Sequence, residues 1–214
     1  METPSNLEIY DQFLAQTTPD RLQKILARYE LFKMTMDVPG DIVECGVFKG
    51  SGFFTFAKLI RLFRPNDSHR LVGFDFFETS RDMDFRYDID KTVLDDHGSG
   101  WTSRDEIIQT CGRWGQTNVL LYAGNAAETT AQYAKEQLGA RISLLYIDVD
   151  NYEGALGILN NLYDLVPRGG IIALDEYGLR GYGESDAVDE FFRERDVRLK
   201  AFPWANTPSA YLVK

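Results

Sequence analysis

The chain has 214 residues, 44% hydrophobic and 26% charged, and a formal net charge of −10 from 33 acidic and 23 basic residues. This is the balance of a folded domain that buries a sizeable core; it excludes a disordered chain, and an acidic field opposes non-specific binding to nucleic acid or anionic membranes. No apolar run reaches membrane-span length, METPSNLEIYDQF (1–13) is no secretory signal, and two cysteines, Cys45 and Cys111, make neither a disulfide framework nor a zinc site, so the expected compartment is the cytoplasm.

Residues 5–34 have helical spacing. Leu7, Ile9, Tyr10, Phe13 and Leu14 come first, then Leu22, Ile25, Leu26, Tyr29, Leu31 and Phe32 after the break TTPD (17–20). Thr18 or Asp20 is placed to cap the second helix and Pro19 to enter it. Residues 1–36 therefore read as a helical cap or oligomer contact ahead of one domain, 37–214. From Pro39 the pattern changes to short apolar runs, at 41–46, 70–77, 118–124, 142–150 and 170–176. Helical stretches near 53–64, 103–113, 126–138 and 152–165 separate them. Such alternation predicts a parallel sheet buried on both faces, in a doubly wound α/β fold. A helix at 184–195 and strands at 197–202 and 210–214 complete a mostly parallel, seven-stranded sheet. Residues 78–102 carry no clear helix or strand, and their position after the second run puts them on the ligand-binding edge.

Ligands of such sheets bind beyond the carboxyl ends of the strands. The first run ends Glu44-Cys45-Gly46-Val47-Phe48-Lys49-Gly50-Ser51-Gly52. Its glycines allow close backbone approach, and the helix that follows offers free N–H groups to a carboxylate or phosphate. Asp75 ends the second run and is placed to accept from ribose hydroxyls. The spacing G-x-x-x-G-x-G is not a dinucleotide fingerprint, and Glu44 would repel a pyrophosphate. An acid there suits the ammonium and sulfonium of S-adenosylmethionine (SAM); the alternative is that Glu44 and the glycines only shape a turn. The third run ends at Gly124-Asn125, where Asn125 either meets the adenine edge or caps the next helix.

The next two runs end in Asp148-Val149-Asp150 and Asp175-Glu176. Four carboxylates from adjacent strand ends repel unless neutralised, and all-oxygen donors favour Mg2+, with Ca2+ or Mn2+ as alternatives. An ion holding adjacent acceptor hydroxyls lowers the pKa of one, and a remaining carboxylate serves as general base. Against this stands the plainer reading that strand-end acids cap helices and face water.

Four stretches, PGDIVECGVFKGSG (39–52), GFDFFET (73–79), AGNAAET (123–129) and LLYIDVDNYEGALGILNNLYDLVPRGGIIALDEYG (144–178), together with DAVDEFF (186–192), resemble the macrocin O-methyltransferase family. These are Rossmann-like, class I, SAM- and Mg2+-dependent enzymes that methylate sugar hydroxyls of natural products. The resemblance implies that Glu44, Gly46, Gly50, Ser51 and Asp75 bind SAM, with Phe48, Gly124, Asn125 and Asp148 lining the same site. It implies Asp148, Asp175 and Glu176 as metal ligands, Asp150 as catalytic base, and 78–102 as a mobile lid. Two residues depart from the family pattern: Val149 replaces a glycine and Glu176 an aspartate. Within the lid, His97 is a second base or a surface residue, and Trp101 and Phe85 are placed to cover a sugar. His69 reads as structural, and Tyr177 and Tyr182 flank the acceptor pocket. The expected partner is a small hydroxylated acceptor, with a homodimer or higher homo-oligomer as the assembly. Competing readings are an NAD-dependent oxidoreductase and a non-catalytic SAM-binding protein.

Overall fold

The structure, a computed structural model, describes residues 4–66, 68–98 and 101–214. Residues 1–3 of the expected cap and 99–100 of the expected lid lie outside the described residues. Two helices come first, α1 (Asn6–Gln16) and α2 (Pro19–Met34), followed by β1 (Asp41–Cys45), α3 (Ser51–Phe63) and β2 (Leu71–Asp75). Next are α4 (Asp88–Asp96), α5 (Arg104–Arg113), β3 (Val119–Ala123), α6 (Ala126–Glu136), β4 (Ile142–Ile147) and α7 (Tyr152–Leu162). The chain ends with β5 (Ile171–Leu174), α8 (Glu184–Phe192) and β6 (Ala210–Val213).

The sheet order is β3-β2-β1-β4-β5-β6. All pairings are parallel except the antiparallel β5–β6. β1 therefore has β2 on one side and β4 on the other, and the crevice where strand order reverses opens at their carboxyl ends. Two apolar cores cover the sheet. Val43, Cys45, Phe74, Leu145 and Ile147 face α6, α7 and α8. Ile42, Leu71, Leu144, Tyr146 and Ala173 face Leu31, Phe32, Phe53 and Phe56 of α2 and α3. Cys45 and Cys111 are buried and unpaired, one in each core. No helix among the described residues is long and apolar enough to cross a membrane.

Two expectations change. Among the described residues the sheet has six strands rather than seven, because 197–202 makes there a single bridge, Lys200 to Tyr211. Past it, Phe202 stacks on Tyr211 at 4.9 Å, and Pro203, with no N–H, cannot extend a ladder. The segment 78–102 is not structureless, since it contains α4. The inward residue of that helix is an acid, Asp90, so no apolar stripe announces it. Asp90 is buried and accepts from Tyr152 N at 2.9 Å and Gly183 N at 2.8 Å, tying α4 to α7 and to the loop before α8. The two N-terminal helices also differ from each other. α1 buries no residue, whereas α2 buries Ala27, Arg28, Leu31 and Phe32. Thr18 takes the N-cap position of α2 without a capping bond from its side chain to the helix backbone, and Pro19 is the first residue of the helix.

Candidate active site

A strand's period of two decides which acids meet. On β1, Glu44 shares the face of Ile42. On β4, Asp148 continues the face of Leu144 and Tyr146, and past β5 Asp175 continues that of Ile171 and Ala173. This is the face that α2 covers. The ladder runs one step beyond the strands, with Asp148 N donating to Cys45 O at 2.8 Å and Asp175 N to Ile147 O at 2.9 Å. Three carboxylates thus lie side by side under one helix.

α2 answers with two cations one turn apart. Lys24 Nζ donates to Asp175 Oδ2 at 2.7 Å and to Asp148 Oδ2 at 3.1 Å. Arg28 Nη2 lies 3.2 Å from Glu44 Oε1 and 3.5 Å from Asp148 Oδ2. The Arg28 guanidinium also stands 4.4 Å from the ring centre of Tyr146, a cation–π geometry. Tyr146 OH donates to Asp175 Oδ1. Burial works against the ammonium, but Asp148 and Asp175 outweigh it and hold the Lys24 pKa above its ordinary value. Burial pushes the Glu44 carboxyl up to about 8 even though Arg28 pulls it down.

A second group lies on the outer side of Asp148. One oxygen each from Asp148, Asp150 and Glu176 fall within 4.8 Å of one another. Asp150 reaches this group through a left-handed backbone, φ 58°, rather than as a continuation of the strand. Left-handed non-glycine residues are uncommon and gather at functional turns; here Phe48, φ 50°, is another. Burial, then Asp148 and Asp175, push Asp150 up to about 7. Burial, then Asp175 and Asp150, push Glu176 up to about 9. Glu184 of α8 is buried behind them, its Oε1 accepting from Glu176 N at 3.1 Å. The donor set is all oxygen and its charge is under-compensated, so it fits a hard dication. Asp175 stands apart from the other expected ligands: it is fully buried and both its oxygens are engaged, by Lys24 and Tyr146.

Between these acids and β2 lies the crevice cavity. Glu44, Gly46, Phe48, Ser51, Asp75, Gly124, Asn125, Asp148 and Asp150 all line it, as their strand-end positions predict. Gly46 has φ 93°, and a Cβ there would sit 1.6 Å from Asp148 O, so only glycine lets β1 and β4 close at this point. Gly50 does not reach the cavity; it is the N-cap of α3, and a Cβ on it would meet Ile107 and Phe54. Asp75 is anchored by backbone amides, accepting from Phe48 N and Phe76 N, each at 2.6 Å. Burial raises its pKa to about 6 against those bonds. Asn125 caps α6, accepting from Ala127 N at 2.9 Å, while bordering the cavity.

The segment 78–102 forms the outer wall through Met83, Asp90, Leu94, His97 and, just within its end, Trp101. His97 packs on Phe48 with ring centres 5.0 Å apart, and its Nε2 is 3.8 Å from Asp150 Oδ2. Burial lowers its pKa. Phe85 lines a separate groove with Arg81 and Lys91. Tyr177 OH donates to Asp189 at 2.9 Å, while Tyr182 lies within the field of Glu176 and Asp150. The backbone oxygen of His69 accepts from Asn118 at 3.1 Å. Sequence reasoning missed Arg21, Lys24 and Arg28 as cavity residues. Lys24, Arg28 and the core residue Leu31 recur at i, i+4 and i+7, which placed two charges on a buried stripe and was the available signal.

Known proteins share this fold. The model of the macrocin-O-methyltransferase (TylF) family matches residues 15–203. A structure of CalS11, described as calicheamicin methyltransferase, superposes with a TM-score of 0.82 at 23% identity, covering 99% of this chain and 86% of that one. An apo structure of CalS11, described as a TDP-rhamnose 3'-O-methyltransferase, gives 0.75 at 25% identity, over 99% and 87%. The O-methyltransferase NovP gives 0.75 at 20% identity, over 90% and 79%. A search of curated proteins returned no match.

Proposed function

The chain belongs to the macrocin O-methyltransferase family and is a SAM-dependent O-methyltransferase; from that premise we propose that it methylates a hydroxyl of a sugar, free or carried on a nucleotide or natural product. The observation that carries the reading is the double role of Asp148, which lines the cofactor cavity and also belongs to the three-carboxylate group. A methyl donor and a bound hydroxyl then meet at one residue. The nicotinamide alternative has no support from the family match.

In this reading Asp75 accepts from the cofactor ribose, Gly46 and Gly124 allow the backbone to approach, and Phe48, Ser51 and Asn125 complete the walls. Asp148 and Glu176 would hold a dication, Mg2+ first among hard ions, which would supply charge neutralisation and acidify an acceptor hydroxyl. Asp150 takes the hydroxyl proton as general base, its carboxyl standing beside the two acids that would hold the ion. Asp175, expected as a further ligand, is held by Lys24 and Tyr146, and would support such an ion from behind Asp148. The wall 78–102 acts as the lid, opening for exchange and excluding water when closed. His97 stands behind Asp150. The unburied apolar residues of α1, Leu7, Tyr10 and Phe13 among them, favour a homo-oligomer.

The test is methyl transfer from SAM to a panel of TDP-sugars and glycosides, with and without EDTA, for wild type and Asp150→Asn. Expected are activity lost on chelation, and a variant that binds cofactor normally but turns over about 100- to 10,000-fold more slowly. Full turnover by the Asp150→Asn enzyme would refute the base assignment, and full turnover in EDTA the metal.

A further inference from the structure

Two buried polar atoms beside the cavity have no hydrogen-bond partner: Arg28 Nε and Glu44 Oε2. Their side chains are 6% and 1% exposed, and both residues line the cavity. The same two side chains are joined through their other ends, Nη2 to Oε1 at 3.2 Å. A buried donor or acceptor left unpaired is costly, and more so when charged. An orphaned donor on a cation next to an orphaned acceptor on an acid is the complement of one ligand type, a zwitterion carrying an ammonium and a carboxylate on the same carbon.

The methionyl end of the cofactor is such a zwitterion. With Glu44 already the acid suited to the ammonium, we propose that Arg28, from α2, binds the cofactor's carboxylate beside it, so that the N-terminal helix is part of the cofactor site. This rests on the SAM reading above and assigns its amino-acid subsite. Arg28 is held for the task, its guanidinium over the Tyr146 ring and one nitrogen between Glu44 and Asp148. Position 52 is kept free of a side chain at this point: a Cβ on Gly52 would lie 2.0 Å from Glu44 Oε1 and 2.6 Å from Arg28 Nη2. Gly52 and Ser51 form the first turn of α3, whose free N–H groups favour an anion in the same space. Lys24 is the poorer candidate, because its ammonium is already shared by two carboxylates.

The experiment compares two ligands by titration calorimetry, without metal or acceptor: S-adenosylhomocysteine, and 5'-methylthioadenosine, which has the same nucleoside and thioether but no amino-acid group. Wild type is expected to bind S-adenosylhomocysteine more tightly. Arg28→Met is expected to lose about 10- to 100-fold for it, the size of one charge-assisted contact, with methylthioadenosine within about threefold of wild type. Arg28→Lys, which keeps the charge beside Glu44 and Asp148, is expected to lose less, again for S-adenosylhomocysteine alone. Unchanged S-adenosylhomocysteine affinity in Arg28→Met, or equal losses for both ligands in both variants, would overturn the proposal. A wild-type protein that binds neither ligand would overturn the SAM reading itself.

Discussion

Replacing Lys24 with methionine removes the ammonium that bridges Asp148 and Asp175 while keeping side-chain length and helix propensity. Two buried carboxylates are then left facing each other. Breaking a buried pair by removing one partner costs about 3–5 kcal/mol. Lys24 is 22% exposed and Asp148 18%, so water screens part of this, and about 2–4 kcal/mol is expected at pH 7 in EDTA. For a domain of this size each kcal/mol moves the melting temperature by about 2–4 °C, so the variant should melt about 4–16 °C below wild type. A dication does the opposite. At about 100 times its Kd a bound ligand returns about 2.7 kcal/mol, and it binds the variant more tightly because no resident cation opposes it. Mg2+ should therefore raise the melting temperature of Lys24→Met more than that of wild type. Differential scanning calorimetry in EDTA, then across a Mg2+ titration, reads both effects. A variant melting within about 1 °C of wild type in EDTA, or responding no more strongly to Mg2+, would refute the account of Lys24 as a resident counter-cation.

Two further outcomes follow from the cofactor side of the site. Asp75, with a pKa pushed up to about 6, loses its anionic acceptor as pH falls through that value. Methylthioadenosine affinity should then fall between about pH 6.5 and 5, and in Asp75→Asn should be weak and flat with pH; a flat wild-type profile would contradict the ribose role. Gly52→Ala improves helix propensity by about 1 kcal/mol, yet its Cβ would stand 2.0 Å from Glu44 Oε1. The clash, at about 1–3 kcal/mol, should win, for a net loss of up to about 2 kcal/mol by denaturant unfolding, and an unfolding midpoint above wild type would show that the Arg28–Glu44 pair yields easily.

How far the sequence was readable depended on which force placed each residue. The five parallel strands were legible because burial on both faces writes a continuous apolar run, and the acids were legible because they end those runs. The seventh strand failed at Pro203, where a plausible alternation (Val197 to Phe202) meets a residue that cannot donate. α4 was hidden because Asp90 is held by tertiary hydrogen bonds from Tyr152 and Gly183, which no local pattern records. Lys24 and Arg28 were passed over for a related reason. Charges on an N-terminal helix usually face water, and only strand parity, carrying Glu44, Asp148 and Asp175 to the α2 face, reveals what they answer. The same parity turns Asp175 toward α2, where Lys24 meets it, while one oxygen of Glu176 lies near those of Asp148 and Asp150.

The two N-terminal helices contribute unequally. α1 buries no residue, so its removal exposes no core. α2 buries Leu31 and Phe32 completely, each worth about 1.5–3 kcal/mol, and supplies Lys24 and Arg28 to the acids. Against a total stability of about 5–15 kcal/mol, losing α2 removes most of the margin and leaves Glu44 and Asp175 buried without their cations. A chain starting at residue 18 should keep S-adenosylhomocysteine affinity within about twofold of wild type. A chain starting at residue 37 should lose cooperative unfolding, or bind methylthioadenosine no more weakly than S-adenosylhomocysteine if it folds. Calorimetry on the two truncations decides the matter: a stable chain from residue 37 with undiminished preference for S-adenosylhomocysteine would make α2 a cover over a site that is complete without it.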